Sequence, residues 1–378
     1  MAPPSVYDTH CEGPGLSPST TAWSNLYCQF RRFTGDSNAN EEEPPQIDLT
    51  GKTVIISGAN SGIGYEAALL SARWGANVVL ACRDPPPHEN HPEKCIEDIV
   101  AATGCPKDRL EWWEVDYSKL KTVHAFGKRW QESGRTCDYL FNNAGLSTSH
   151  ALTEDGFDLS HQVLFLAHFL TTFYVLPSMK KAKAPRIVNT ASCFHYGGFL
   201  DFANFNFERK IREGPRGVTL YCTNKLLVMM GLTKELQARL SRSEDYRHVI
   251  VQGVHPGFVA SNIWHTTKTL PQWMQTPLQW ALRNIAINTQ QGSLALTWAG
   301  YHHAYGFPAA ELEAGYPAVG KSAEYGGKYI NRITESDPRP EVFDVLARSR
   351  LWQRVLEDLK IKEHGLAQDL PGHLPEVI

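Results

Sequence analysis

The sequence predicts an α/β domain, a single doubly wound parallel sheet with helices on both faces. Three features of the 378 residues predict it. Short β-branched or apolar runs alternate with helical stretches. A glycine-rich segment falls between the first run and the first helix, and polar or glycine-containing segments follow the ends of later runs. Such alternation implies right-handed crossovers and a parallel sheet covered on both sides.

In chain order, residues 53–57 (TVIIS) form a strand, 65–74 a helix and 77–81 (NVVLA) a strand. Pro85, Pro86 and Pro87 make a loop before a helix at 93–103. Strand 110–115, helix 123–131, strand 139–142 and a long helix at 157–176 come next, then strand 186–190, a second long helix at 220–241 and strand 249–254. One domain spans 47–361 and includes a loop at 262–308; 362–378 is a tail. Residues 1–46 are rich in Pro, Gly, Ser and Thr and read as a flexible extension. Trp23, Leu26, Tyr27, Phe30 and Phe33, at three- to four-residue spacing, also fit a short amphipathic helix packed on the body, a partner or a membrane surface.

With 42% hydrophobic and 20% charged residues the chain can build a substantial core. A net charge of −3 gives no electrostatic reason for a nucleic-acid or anionic-membrane partner. No uninterrupted apolar run approaches the roughly 18–20 residues of a spanning helix, and the stretches 163–173 and 226–232 read as buried helices. The eight cysteines form no CxxC pair, and no metal site is expected. The Met1-Ala2-Pro3-Pro4 start lacks the basic and apolar parts of a secretory signal. The reading is a cytoplasmic protein with reduced thiols.

Ser57-Gly58-Ala59-Asn60-Ser61-Gly62-Ile63-Gly64 joins the first strand to the first helix with the spacing GxxxGxG. Glycines there let the chain turn tightly and bring backbone N–H groups and a helix N-terminus to a pyrophosphate. Glycines also serve ordinary turns; the placement between strand and helix is what favours nucleotide binding. An NAD site usually ends its second strand with a carboxylate for the ribose 2′-hydroxyl. Here that strand ends Ala81-Cys82-Arg83, and Asp84 comes only after the arginine. A guanidinium suits a 2′-phosphate, so NADP(H) is the expected cofactor; the alternative is a solvated loop arginine.

Tyr221-Cys222-Thr223-Asn224-Lys225 opens the second long helix, where residues four apart share a face. A lysine ammonium beside a phenol brings its pKa from about 10 toward neutrality, the range useful for general acid–base work. With 14 tyrosines this spacing arises by chance, and Tyr117-Ser118-Lys119-Leu120-Lys121 matches it too. Tyr117, after the third strand, reads as a surface or cofactor-edge residue. What distinguishes Tyr221 is its company. Asn142-Asn143-Ala144-Gly145 follows the fourth strand, Ser192 the fifth and His255-Pro256-Gly257 the sixth. All are carboxyl ends of strands, where open parallel sheets bind ligands.

With that ordered set the sequence resembles the short-chain dehydrogenase/reductase family, and most closely its retinol-dehydrogenase-like members, over residues 49–361. The match comprises SGANSGIG, ACRD, Asp116, NNAG, RIVNTAS, YCTNK, HPGFVAS and residues 200–210 (LDFANFNFERK). The resemblance implies a Rossmann-type fold in which Tyr221 exchanges a proton with the substrate oxygen. It implies that Lys225 holds the nicotinamide ribose and acidifies the tyrosine, and that Ser192 hydrogen-bonds the substrate carbonyl. Asp116 would meet the adenine, Asn143, Ala144 and Gly145 line the cofactor groove, and Pro256, Gly257, Val259 and Ser261 contact the nicotinamide end. Ser57 and Ser261 stand where the family usually has threonine, and both keep a hydroxyl. One departure is larger. A helix pattern like VNxxGHF should supply an asparagine that holds a water behind the lysine; here Leu164 takes that position, and leucine cannot hydrogen-bond a water. His161, one turn away, is a candidate substitute, although a histidine at helical spacing is more often a core residue. Relatives often form four-helix dimer interfaces through the two long helices, so a homodimer is admitted.

Residues 262–308 are rich in large apolar groups, Trp264 and Trp273 among them, with Phe194, His195 and Tyr196 expected as the opposite wall. Together they point to a bulky, lipophilic small molecule; a retinoid, steroid, polyketide or terpenoid fits equally. The expected activity is NADP(H)-dependent interconversion of a ketone or aldehyde and an alcohol, run as a reduction in biosynthesis. Two other readings share the scaffold: a non-redox isomerase, dehydratase or cyclase, and a catalytically weakened cofactor-binding interaction protein. Retention of Ser192, Tyr221 and Lys225 together weighs against the last.

Overall fold

The computed structural model describes residues 42–87, 89–147, 151–207, 218–261, 276–277, 280–281, 286–307, 311, 315, 317–368 and 370–371. Strands β1 (Thr53–Ser57), β2 (Asn77–Cys82), β3 (Leu110–Glu114), β4 (Tyr139–Asn142), β5 (Arg186–Thr190), β6 (Ile250–His255), β7 (Lys328–Asn331) and β8 (Thr334–Ser336) make one sheet in the order β3-β2-β1-β4-β5-β6-β7-β8. The first seven run parallel. β8 pairs antiparallel with β7, so the sheet ends in a hairpin that the alternating pattern did not foretell. Central strands are buried along their whole length, β1 and β4 at every residue, because helices cover both faces.

The covering helices are α1 (Gly62–Arg73), α2 (Pro92–Thr103), α3 (Leu120–Glu132), α4 (Leu159–Met179), α5 (Val218–Leu227), α6 (Leu236–Arg242), α7 (Thr289–Tyr301) and α8 (Val345–Asp358). Alternate residues of a strand feed opposite cores. Ile55 and Leu140 join the core of α3, α4 and α8, whereas Ile56 and Phe141 join that of α1, α2 and α7. α4 is the one described helix long and apolar enough to cross a membrane by length and composition, and 94% of its most apolar window is buried inside the protein. It packs on α3 through Gly127, where a Cβ would stand 2.1 Å from the Tyr174 ring. Gln162–Leu166 within α4, and Val228–Glu235 between α5 and α6, are π-helical; such segments often mark functional sites.

α8 lies on the outer face of α4. Trp352 meets Phe169 and Phe173 at ring separations of 5.6 and 5.4 Å. Buried Glu235 accepts hydrogen bonds from Arg239 Nε at 2.8 Å and Arg348 Nε at 3.2 Å. α8 thus packs on α4, one of the two long helices through which a homodimer was admitted. The packed body also continues past 361: Leu366 and Leu370 are buried, and Arg239 Nη1 donates to Pro371 O at 2.6 Å. At the other end, Glu43 pairs with Arg73 and Trp298 Nε1 donates to Glu42 O. Residues 1–41 and 262–275, with Trp264 and Trp273, lie outside the described residues. The six described cysteines, at 82, 95, 105, 137, 193 and 222, are buried free thiols.

Candidate active site

The strand order reverses between β1 and β4, which opens a crevice at their carboxyl ends. Ser57, the last residue of β1, knits the two strand ends together. Its Oγ accepts the N–H groups of Asn143 and Ala144 at 2.9 and 3.0 Å. Gly58 has φ +69°, and a Cβ there would stand 2.9 Å from Ala144 Cα; one at Gly64 would stand 2.4 Å from Gly58 O. The turn therefore closes only without side chains at these points. Asn143 Nδ2 donates to Ser57 O at 3.0 Å. Ser61 caps α1 without a side-chain hydrogen bond, and no acidic residue stands in the first turn. The first N–H groups of that helix remain free for an anion. Ser261, ending the turn that contains Pro256, Gly257 and Val259, comes within 3.8 Å of where a Gly62 Cβ would be, which sets it across the crevice from Ile63 and the glycine-rich turn. These features fit the pyrophosphate of a dinucleotide.

Arg83 follows β2, and its Nη2 donates to Glu89 Oε1 at 2.7 Å. Asp116, after β3, accepts from Ser118 N and Oγ at 2.9 and 2.7 Å. Tyr117 is not at the surface or the cofactor edge. It is buried, its hydroxyl bonds Thr171 Oγ1 at 2.9 Å and Ser57, and burial pushes its phenol up to about 12.

The catalytic candidates meet where β5 ends. Ser192 Oγ accepts from Phe194 N at 3.2 Å, fixing the short turn Cys193–Gly197, and bonds the Tyr221 hydroxyl. One helical turn on, Lys225 Nζ donates to Thr190 O at 2.6 Å and sits 5.5 Å from the Tyr221 ring centroid. Phe194 stands edge-on to Tyr221 at 6.0 Å. Electrostatically the pair departs from expectation. Burial raises the Tyr221 phenol above its ordinary value, with the Ser192 hydrogen bond acting the other way, and burial lowers the Lys225 amine to about 7. In the polypeptide itself, loss of water around the phenol outweighs the Ser192 hydrogen bond.

Two residues expected at the pocket wall are buried instead. His195 is wholly buried; its Nδ1–H donates to Ser192 O at 2.6 Å and its Nε2 accepts Arg339 N–H at 3.1 Å. Tyr196 is buried with its hydroxyl on Asp337 O. Both turn inward to hold the Ser192 turn, which leaves Phe194 beside the tyrosine. Leu164 is buried, its Cδ2 3.4 Å from where a Gly145 Cβ would be. His161 bonds Asn224 Oδ1 at 2.7 Å among Phe165, Phe205 and Phe207, and burial holds it down at about 4. Its described polar partner is thus the residue beside Lys225. His168 stands next to the end of the same helix pattern. Its Nε2 donates to Ala144 O at 2.8 Å, so it helps hold the Asn143–Gly145 turn; burial holds it down at about 3, with the Lys225 charge adding to that.

Residues 52–204 match the family model for short chain dehydrogenases. Retinol dehydrogenase 13 of Mus musculus is 32% identical over 337 residues, covering 87% of this chain and 89% of that protein. Retinol dehydrogenase 11 of Homo sapiens is 34% identical over 249 residues, covering 65% of this chain and 72% of that protein. Among solved structures, an uncharacterized protein from Mycobacterium Paratuberculosis superposes with TM-score 0.59 at 22% identity, covering 84% of this chain and 96% of that one. L-sorbose reductase from Gluconobacter frateurii, complexed with NADPH and L-sorbose, gives 0.53 at 17%, covering 76% and 96%. These likenesses in coordinates bear on the fold, while the sequence relatives carry the assignment. A glycine turn and a helix N-terminus without a side-chain cap bond at the switch point, a Ser–Tyr–Lys set at the end of the fifth strand and relatives matched over most of their length make this chain a member of the short-chain dehydrogenase/reductase family of oxidoreductases, like its retinol dehydrogenases.

Proposed function

We propose that the protein is an NADP(H)-dependent reductase, located in the cytoplasm, that interconverts a ketone or aldehyde and an alcohol on a bulky lipophilic molecule. The observation that carries this reading is the convergence of the Ser192 and Tyr221 hydroxyls at the crevice edge with Lys225 one turn behind. When bound, the nicotinamide supplies or accepts the hydride. The chain's residues do the rest. Tyr221 gives its proton to the oxygen that becomes a hydroxyl, or takes it in reverse, and Ser192 orients that oxygen with a hydrogen bond. Lys225 keeps an amine beside the phenol, held by Thr190 O. NADP(H) is favoured because Arg83, not a carboxylate, follows β2. The lipophilic class rests on Phe194 beside Tyr221 and on relatives named for retinol, a lipophilic alcohol. Buried free thiols suit a reducing compartment.

The test is NADPH oxidation by the purified full-length protein across a panel of lipophilic ketones and aldehydes. Tyr221→Phe is expected to lower turnover by about a hundredfold or more while NADPH affinity stays within a few-fold. Retained turnover refutes the role of Tyr221. A product of unchanged mass, instead of one two hydrogens heavier, moves the reaction to the isomerase class.

A further inference from the structure

We infer that Glu89 is a cofactor-selectivity residue that works against a 2′-phosphate. This rests on the reading that Arg83 receives that group. Arg83 Nη2 donates to Glu89 Oε1 at 2.7 Å, so the guanidinium expected to meet the phosphate already faces a carboxylate of its own chain.

The placement of Glu89 is built, not incidental. Its N–H donates to Pro86 O at 2.9 Å and closes a turn at the end of the proline loop. Next to it, Asn90 O accepts from Asn60 Nδ2 at 3.0 Å, and Asn60 belongs to the glycine-rich turn. Cys95 Sγ, on α2, donates to Asn60 O at 3.2 Å, so the same turn is tied from the other side. His91 caps α2 by accepting Glu93 N–H at 3.3 Å, and its ring stands edge-on to Trp112 of β3 at 4.8 Å. The two residues after Glu89 are thus fixed to the two elements that would flank an adenosine ribose.

The chemistry follows from the two charges. A 2′-phosphate shares the Arg83 guanidinium with Glu89, which already partly neutralises it, and brings a second anion close to that carboxylate. A 2′-hydroxyl meets no such opposition. It can donate to Glu89, which then does the work that a carboxylate at the end of the second strand does in NAD sites. Both side chains keep solvent contact, 49% for Arg83 and 32% for Glu89, so an arriving ligand can reach them and salt screens the pair. Arg83 and Glu89 together therefore accept either dinucleotide, with the preference for the phosphorylated one tempered by Glu89.

The experiment titrates NADPH and NADH separately into full-length wild type, Glu89→Gln, Glu89→Ala and Arg83→Gln, following nicotinamide fluorescence at low salt and at high salt. Removing the carboxylate is expected to tighten NADPH about fivefold, the upper range for an exposed ion pair. NADH binding stays level or weakens, and the NADPH gain shrinks at high salt. Arg83→Gln is expected to weaken NADPH about tenfold or more and to leave NADH within a few-fold. If Arg83→Gln leaves NADPH affinity unchanged, the NADP(H) reading itself falls, and this inference with it. If Arg83→Gln weakens NADPH but both Glu89 variants bind it no better than wild type, the NADP(H) reading stands and the role of Glu89 is overturned.

Discussion

Replacing Lys225 with methionine should destroy the activity and stabilise the fold. Lys225 is 4% exposed, and its amine falls from 10.5 to about 7 because burial strips water from the ammonium. At about 1.4 kcal/mol per factor of ten in proton affinity, holding the charge inside costs on the order of 5 kcal/mol. Below pH 7 both folded and unfolded chains carry the proton, and that cost is felt in full. Between about 7 and 10.5 the unfolded chain holds more protons than the folded one, so stability from this group rises with pH across that window. Methionine keeps the apolar stem and has no charge to bury, but it gives up the hydrogen bond to Thr190 O, worth about 1 kcal/mol. Lys225→Met is therefore expected to exceed wild type by roughly 2–4 kcal/mol at pH 6, and by about 3 kcal/mol less at pH 9. Urea unfolding followed by tryptophan fluorescence at the two pH values measures this. A variant no more stable than wild type at pH 6, or a difference that does not shrink at pH 9, refutes the reasoning.

Ser57→Ala removes the shared acceptor of the Asn143 and Ala144 N–H groups; a loss of about 2 kcal/mol is expected, read as a melting point a few degrees lower, and Ser57→Thr should recover most of it. Gly64→Ala places a Cβ 2.4 Å from Gly58 O and 2.5 Å from Asn143 Nδ2, so the turn must shift. NADPH affinity should fall about tenfold or more, and unchanged affinity in a fluorescence titration would mean that the backbone has slack there.

The six strands of the alternating part were legible because five are short apolar runs buried on both faces, the edge strand β3 being only partly buried, and for β1, β4 and β5 even the bounds agree. β7 was not, since Lys328-Tyr329-Ile330-Asn331 offers only two apolar residues and depends on pairing with β6. α8 hid its stripe of Leu351, Trp352 and Val355 among arginines. The π-helical segments left no trace either, because a five-residue hydrogen-bond step does not alter which residues are apolar. At the site, glycines and strand ends located the crevice, and the ordered motifs located Ser192, Tyr221 and Lys225. Side-chain direction was another matter. His195 turns inward because its two ring nitrogens find Ser192 O and the N–H of Arg339, a residue 144 positions away. Tyr117 turns inward because Thr171 and Ser57 meet its hydroxyl. The phenol–lysine pair was expected to be acidified, but Lys225 is buried and Tyr221 half-buried, which spacing alone cannot tell.

The seating of α8 on α4, clamped through Glu235, has a consequence for truncation of the chain. The Phe169 and Phe173 rings find an apolar partner, Trp352, within the same chain. Shortening the chain before Val345 would strip Trp352 and Arg348 together, baring Phe169 and Phe173 and leaving the Glu235 carboxylate with one cation fewer. The C-terminal helix Val345–Asp358 is in this sense a built-in neighbour for α4.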